Sequence, residues 1–193
     1  MFYSPYLPAI NPGMNRSDNE VLQKKMSKIN IIKSKILTGE QIDRMLAFWS
    51  IRDYSVVFTN GCFDILHKGH LDFLARASDL GDVLVVGLNT DRSIRAIKGP
   101  GRPLQDEKTR TLLLASLSYV TAVILFDHET PVELIRQVRP DILVKGSDYK
   151  LEEVVGRDIV SEMGGKVFTL DIVEGYSTST IINKLEGGKG INS

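Results

Sequence analysis

The sequence predicts a parallel, doubly wound α/β sheet of about five strands. Five short apolar runs of strand length are each bounded by turn-forming residues, and the stretches between them repeat apolar residues at helical spacing. The polar clusters add a third sign. Thr59 to His70, Asn89 to Asp91, Lys145 to Tyr149 and Gly175 to Thr180 all follow the ends of predicted strands, where sheets of this kind bind their ligands.

Residues 1–28 carry Pro5, Pro8, Pro12 and Gly13 with little periodicity, and are expected to be a poorly ordered extension. The domain is expected over 29–186, with a flexible tail over 187–193. From Thr38 a capped helix is predicted, with Ile42, Met45, Leu46 and Trp49 on one face. Val56-Val57-Phe58 opens the first strand, which breaks at Thr59-Asn60-Gly61. The stretch 69–80 reads as an amphipathic helix with Leu71, Leu74, Ala75 and Ala77 inward, ending at Gly81. The nearly continuous apolar run over 82–89 suits a strand buried on both faces. A cap and a short helix follow over 89–95, then a basic, glycine-rich loop over 98–103 that is expected to move. The remaining pattern is helix 106–117, strand 122–126, helix 131–138, strand 142–145, helix 152–163 stopped by Gly164-Gly165, strand 166–172 and helix 177–185.

Composition narrows the function classes. The 193 residues hold 24 Lys plus Arg against 24 Asp plus Glu, so no bulk field favours nucleic acid or a membrane surface. The one cysteine, Cys62, rules out an internal disulfide and a multi-cysteine zinc site, which suits a reducing cytoplasm. No apolar run approaches membrane-spanning length, and the first residues lack the pattern of a signal peptide.

The chemistry concentrates in Val56 to His70, VVFTNGCFDILHKGH. It reads as a strand, a turn and a helix N-terminus, where unpaired backbone N–H groups and the helix dipole can receive a phosphate. His67 and His70, two of only three histidines, lie three residues apart around Gly69 and can serve the same phosphate as donors. The glycine fingerprint of dinucleotide binding does not follow this strand, and no G-x-x-x-x-G-K-[ST], G-x-S-x-G or H-E-x-x-H occurs. His128, in the turn Asp127 to Pro131, is read as a surface residue.

Asn60-Gly-Cys-Phe-Asp-x-x-His-x-Gly-His70 resembles the signature of the cytidylyltransferase-like nucleotidylyltransferases, a family with a Rossmann-like sheet. Asn89-Thr-Asp91-Arg-Ser93, Lys98-Gly-x-Gly-Arg-Pro103, Leu143-Val-Lys-Gly-Ser-Asp-Tyr149 and the segment Gly175 to Ile182 are similar to the branch that adenylylates D-glycero-D-manno-heptose 1-phosphate. The resemblance runs over about 36–185, departing at Lys68, where a small residue is frequent, and at Ser147, where a second glycine is.

The resemblance implies transfer of AMP from ATP to a sugar phosphate with release of pyrophosphate. His67, His70 and Lys98 are the implied catalytic residues. Thr59, Asn60, Gly61, Cys62, Phe63, Gly69, Asn89, Asp91, Lys145, Gly146, Ser177, Thr178 and Thr180 are expected at the nucleotide, and Arg102, Arg110, Asp148 and Tyr149 at the sugar phosphate. Capping or turn roles compete for Asp91 and Asp148, a solvated loop competes for Lys98 and Arg102, and inert packing for Cys62. Magnesium is expected to enter with ATP, held by phosphate oxygens and water rather than by a protein cage. A cytoplasmic homo-oligomer in stand-alone form is expected, without nucleic-acid or membrane partners, any kinase step residing on another polypeptide. Two rivals stay open: a glycerol 3-phosphate cytidylyltransferase, and a nucleotide-binding regulatory module without catalysis.

Overall fold

Alternation along the strands builds the core. In the computed structural model, which describes residues 27–147, 151–173, 175, 176, 178 and 180–182, Val56, Phe58, Val83 and Val85 face one side of the sheet, while Val57, Leu84, Val86 and Leu88 face the other. Each face is then covered by helices that bring their own apolar stripe.

The strands are β1 (Ile36–Leu37), β2 (Val56–Gly61), β3 (Val83–Asn89), β4 (Ala122–Phe126), β5 (Ile142–Gly146) and β6 (Lys166–Leu170). They form one sheet in the order β1-β4-β3-β2-β5-β6, and every pairing is parallel. The helices are α1 (Lys28–Lys33), α2 (Glu40–Ile51), α3 (Lys68–Ser78), α4 (Asp91–Lys98), α5 (Glu107–Ser116), α6 (Val132–Val138) and α7 (Arg157–Glu162). Ile42 and Trp49 of α2, Leu134 and Ile135 of α6 and Val160 of α7 pack on the first face. Phe73, Leu74 and Ala77 of α3, with Leu114 and Ala115 of α5, pack on the second.

Several expectations are corrected. The sheet has six strands rather than five, because β1 is two residues long and too short to carry a periodic signal; it is held by Ile36↔Val123 and Leu37↔Ile124 against β4. The helix expected from Thr38 starts at Glu40, with Gly39 as its cap and the Thr38 amide donating to Gln41 Oε1 at 3.1 Å. In α3 Phe73 is buried and Leu71 is exposed, so the inward stripe sits differently from the expected one. The helix expected over 152–163 is a single 3-10 turn, Leu151–Glu153, followed by the separate α7. Gly156 separates them: its φ is 91°, and a Cβ there would come within 2.3 Å of Ile135 Cδ1. Residues 1–26 of the expected extension over 1–28, the tail over 187–193 and most of the last expected helix lie outside the described residues, although Thr178 and residues 180–182 are helical; Ser27 and Lys28, expected in the extension, instead cap and open α1.

From β2 the chain runs outward through β3 to β4, then returns across the sheet to β5 and β6. The order therefore reverses between β2 and β5, and such a reversal opens a crevice at the carboxyl ends of the strands. Here the register widens it. β2 pairs with β3 from Val56 to Gly61, but with β5 only at Val57↔Ile142 and Phe58↔Leu143. Beyond Phe58 the ladder stops, and Thr59 to Gly61 face Lys145 and Gly146 across a gap.

Candidate active site

That gap is the floor of a cleft of about 380 Å³, lined by residues 59–64 at and just beyond the end of β2, the start of α3, Lys98, Lys145 and Gly146, with Ile172 and Tyr176 on its other side. Lys145 spans the floor, its ammonium donating to the backbone and side-chain oxygens of Asn60. Thr59, among the residues lining the cleft, is fully buried, and its hydroxyl has no hydrogen-bond partner among the described residues.

The two histidines meet at the start of α3. His67 is the cap residue rather than a member of the helix, and its Nδ1 accepts from the His70 amide at 3.4 Å. With Nδ1 used as an acceptor, the neutral ring carries its proton on Nε2. The rings are stacked with centroids 3.8 Å apart and planes inclined by 21°, and Phe63 meets His70 edge-on at 5.1 Å. Gly69 permits this closeness, since a Cβ would lie 3.1 Å from His67 Nδ1 and 3.3 Å from the Tyr176 carbonyl. The amides of Lys68 and Gly69 stand in the first turn, where N–H groups lack intrahelical partners.

Charge is disfavoured on this pair. Burial, then repulsion from His67 and from Lys98, pushes the His70 imidazole down to about 4, against an opposing pull from the Ile65 backbone. Its Nδ1 is buried and meets no partner at hydrogen-bond geometry among the described residues. Burial also lowers His67. Both rings are neutral near pH 7, while Lys98 and Lys145 supply positive charge, and Lys68 rests 5.3 Å over the Tyr176 ring at the rim. Neutral imidazole donors beside fixed cations suit a polyphosphate whose charge shifts during reaction.

The structure brings Thr59, Asn60, Gly61, Cys62, Phe63, His67, Gly69, His70, Lys98, Lys145, Gly146 and Thr178 to this cleft. Five other expected residues lie outside its lining. Arg110 is fully buried and donates to the carbonyls of Cys62 at 2.7 Å, Asn89 at 2.9 Å and Gln105 at 3.0 Å, and to Asp91 Oδ1 at 2.7 Å. It is a brace under the motif rather than a phosphate contact. Asn89 is buried and donates to Ser93 Oγ at 2.8 Å, and Asp91 is paired with Arg110. Arg102 is held by Asp64 at 2.7 Å, so the basic loop is tethered where mobility was expected. Thr180 is half-buried and outside the cleft lining. Asp148, Tyr149 and Ser177 lie outside the described residues. The sequence reading did not single out Asp64, Phe73, Ile172 or Tyr176; Asp64 carried a signal as the acidic member of the Asn60 to His70 signature, and Tyr176 as part of the segment Gly175 to Ile182.

A second hollow of about 470 Å³ opens between the starts of α4 and α5. Most of its polar groups bond to one another or to helix ends: Thr90 and Asp106 cap their own helices, Glu107 accepts from the Asp91 amide, and Arg92 pairs with Asp127. Among the described residues no three His, Cys, Asp or Glu side chains are arranged to hold a metal ion. No helix among them is long and apolar enough to cross a membrane.

The sequence profile of the cytidylyltransferase-like family matches residues 58–184, from within β2 to beyond the last described residue. The chain is 52% identical over 152 residues to the bifunctional protein HldE of Syntrophotalea carbinolica, covering 79% of this chain and 31% of that protein. It is 54% identical over 137 residues to HldE of Methylobacillus flagellatus, covering 71% and 28%. It thus spans less than a third of these relatives. Among solved structures, the lipopolysaccharide core biosynthesis protein of Thermoplasma volcanium superposes with a TM-score of 0.52 at 33% identity, covering 64% of this chain and 99% of that one.

Proposed function

The chain belongs to the cytidylyltransferase-like family, and from that premise we propose that it transfers AMP from ATP to D-glycero-β-D-manno-heptose 1-phosphate, giving ADP-heptose and pyrophosphate. The observation that carries the transfer is the stacked His67–His70 pair at a helix start, beside Lys98 and over a gap in the sheet. The similarity to bifunctional HldE proteins and to a lipopolysaccharide core biosynthesis protein supports the choice of a heptose phosphate, as does the run Leu143 to Ser147 within the motif of that branch.

In this reading an oxygen of the sugar phosphate, already anionic, attacks the α-phosphorus of ATP. A new P–O bond forms, the bond to the β-phosphate oxygen breaks, and pyrophosphate carries away the electron pair. No base is required, so the work is placement and stabilisation of charge. The Nε2–H of His67 and the His70 ring donate to phosphate oxygens, and Lys98 balances charge on the departing side. Among the described residues Asp64 is the one acidic side chain lining the cleft, and its oxygens are taken by Arg102 and two amides. Among the described residues the cleft lining therefore offers no free carboxylate, and in this reading magnesium accompanies the triphosphate, held by its oxygens and water.

Pyrophosphate release by the purified chain, crossing ATP and CTP against the heptose 1-phosphate and glycerol 3-phosphate, tests the reading. Release with ATP and the heptose phosphate alone is expected. Release with CTP and glycerol 3-phosphate would move the protein to another branch of the family, and ATP binding without release from any pair would point to a regulatory module.

A further inference from the structure

The arm that follows Lys98 has little packing of its own. A Cβ added at Gly99, whose φ is 90°, or at Gly101 would meet nothing within 4 Å, and Leu104 is exposed. Yet the arm is fixed at one point. Asp64, 2% exposed, accepts from Arg102 Nε at 2.7 Å, from Arg102 Nη2 at 2.7 Å, from the Leu104 amide at 2.8 Å and from the Gln105 amide at 3.0 Å. The remaining side-chain bond across to this arm, from Arg110 Nε to the Gln105 carbonyl, lies at its far end.

A buried carboxylate with four donors is spent as a base and as a metal ligand. What it does hold is the return path of the chain whose near end is Lys98, the last residue of α4. Lys98 lines the same cleft as Asp64 and is close enough to act on the charge of His70. A last helical turn followed by glycines frays unless something beyond it is anchored. We propose that Asp64 is a positioning residue: by clamping Arg102, Leu104 and Gln105 it sets the Lys98 ammonium against the phosphate cleft. Arg102 thereby serves the clamp and is withheld from substrate.

The inference rests on the transfer reading, and a double-mutant cycle tests it. Asp64→Asn and Lys98→Ala are each expected to lower kcat/KM about ten- to a hundredfold, the range expected when a charged donor is lost or misplaced. The double variant is expected to be no worse than Lys98→Ala by more than about twofold, because the clamp acts through that lysine. Multiplying losses would overturn the proposal. Amide exchange at Leu104 and Gln105 should quicken in Asp64→Asn and stay unchanged in Lys98→Ala; unchanged exchange in Asp64→Asn would also overturn it. If Asp64→Asn fails to fold, Arg102→Gln, which leaves Asp64 its two amides, takes its place with a smaller loss and the same non-additivity. A wild-type chain that binds ATP but transfers to no acceptor overturns the transfer reading alone. The cycle is then read on Mg-ATP affinity, where non-additive losses uphold the clamp and additive ones overturn it.

Discussion

A histidine buried against a second histidine 3.8 Å away resists protonation, and this one property gives the site two measurable signs. In the unfolded chain an imidazole takes its proton near pH 6.5, while in the folded chain His70 does so at about 4. Between those values the unfolded state binds the proton first. The stability linked to a neutral His70 is therefore present above pH 6.5 and is lost as pH falls towards 4, amounting to about 2–3 kcal/mol. Urea unfolding at pH 7.5 and 4.5 should show a smaller loss in His70→Gln than in the wild type; equal losses would mean that the ring titrates normally. Replacing His70 with Ala removes a preorganised donor and should cut turnover by about a hundred- to a thousandfold at pH 7.5. Gly69→Ala makes the complementary point. It adds a better helix former, so the melting temperature should hold, but its Cβ crowds His67 Nδ1 and turnover should drop at least about tenfold. The histidines and Gly69 were legible because their spacing is itself the signal. Arg110 and Arg102 were misread, since a sequence shows that a residue is basic but not which carboxylate or carbonyl reaches it first.

At the level of elements, the cleft exists because two strands part company. β2 and β5 share two register pairs and then separate, and Lys145 crosses the opening to Asn60. The end of β2 must then be held from elsewhere, and Arg110 of α5 does so through the Cys62 carbonyl. The held segment includes Phe63 at φ 41°, a left-handed conformation costly for a bulky side chain. Arg110→Met should destabilise the fold by about 3–5 kcal/mol in urea unfolding, because it leaves Asp91 and three carbonyls without their donor. A change below about 1 kcal/mol would show that the brace is dispensable. The sequence marked where the apolar runs end, at Phe58 in β2 and Val144 in β5, but not that β2 and β5 pair there and then separate, because register is a property of the pair. The break between the 3-10 turn and α7 was hidden for a related reason. Gly156 is one residue in an otherwise helical stretch, and its necessity comes from Ile135, distant in sequence.

For the whole molecule, the alternation of strands and helices sufficed to predict a parallel sheet and to place the polar clusters at its carboxyl edge. The sequence left out the order β1-β4-β3-β2-β5-β6, and with it the reversal between β2 and β5 that gathers Thr59, His67, His70, Lys98 and Lys145 around one cleft. That convergence is the central claim, because the reaction proposed requires the phosphates to meet both histidines at once. Nitrogen-15 NMR of the histidine side chains, titrated with pH in the absence and presence of Mg-ATP, tests it most directly. The account predicts that His70 in the free protein stays neutral down to about pH 4, and that bound triphosphate raises its protonation midpoint and shifts the ring nitrogens of both His67 and His70, leaving His128 unmoved. Free His70 titrating near 6.5, or ring signals indifferent to saturating Mg-ATP, would contradict it.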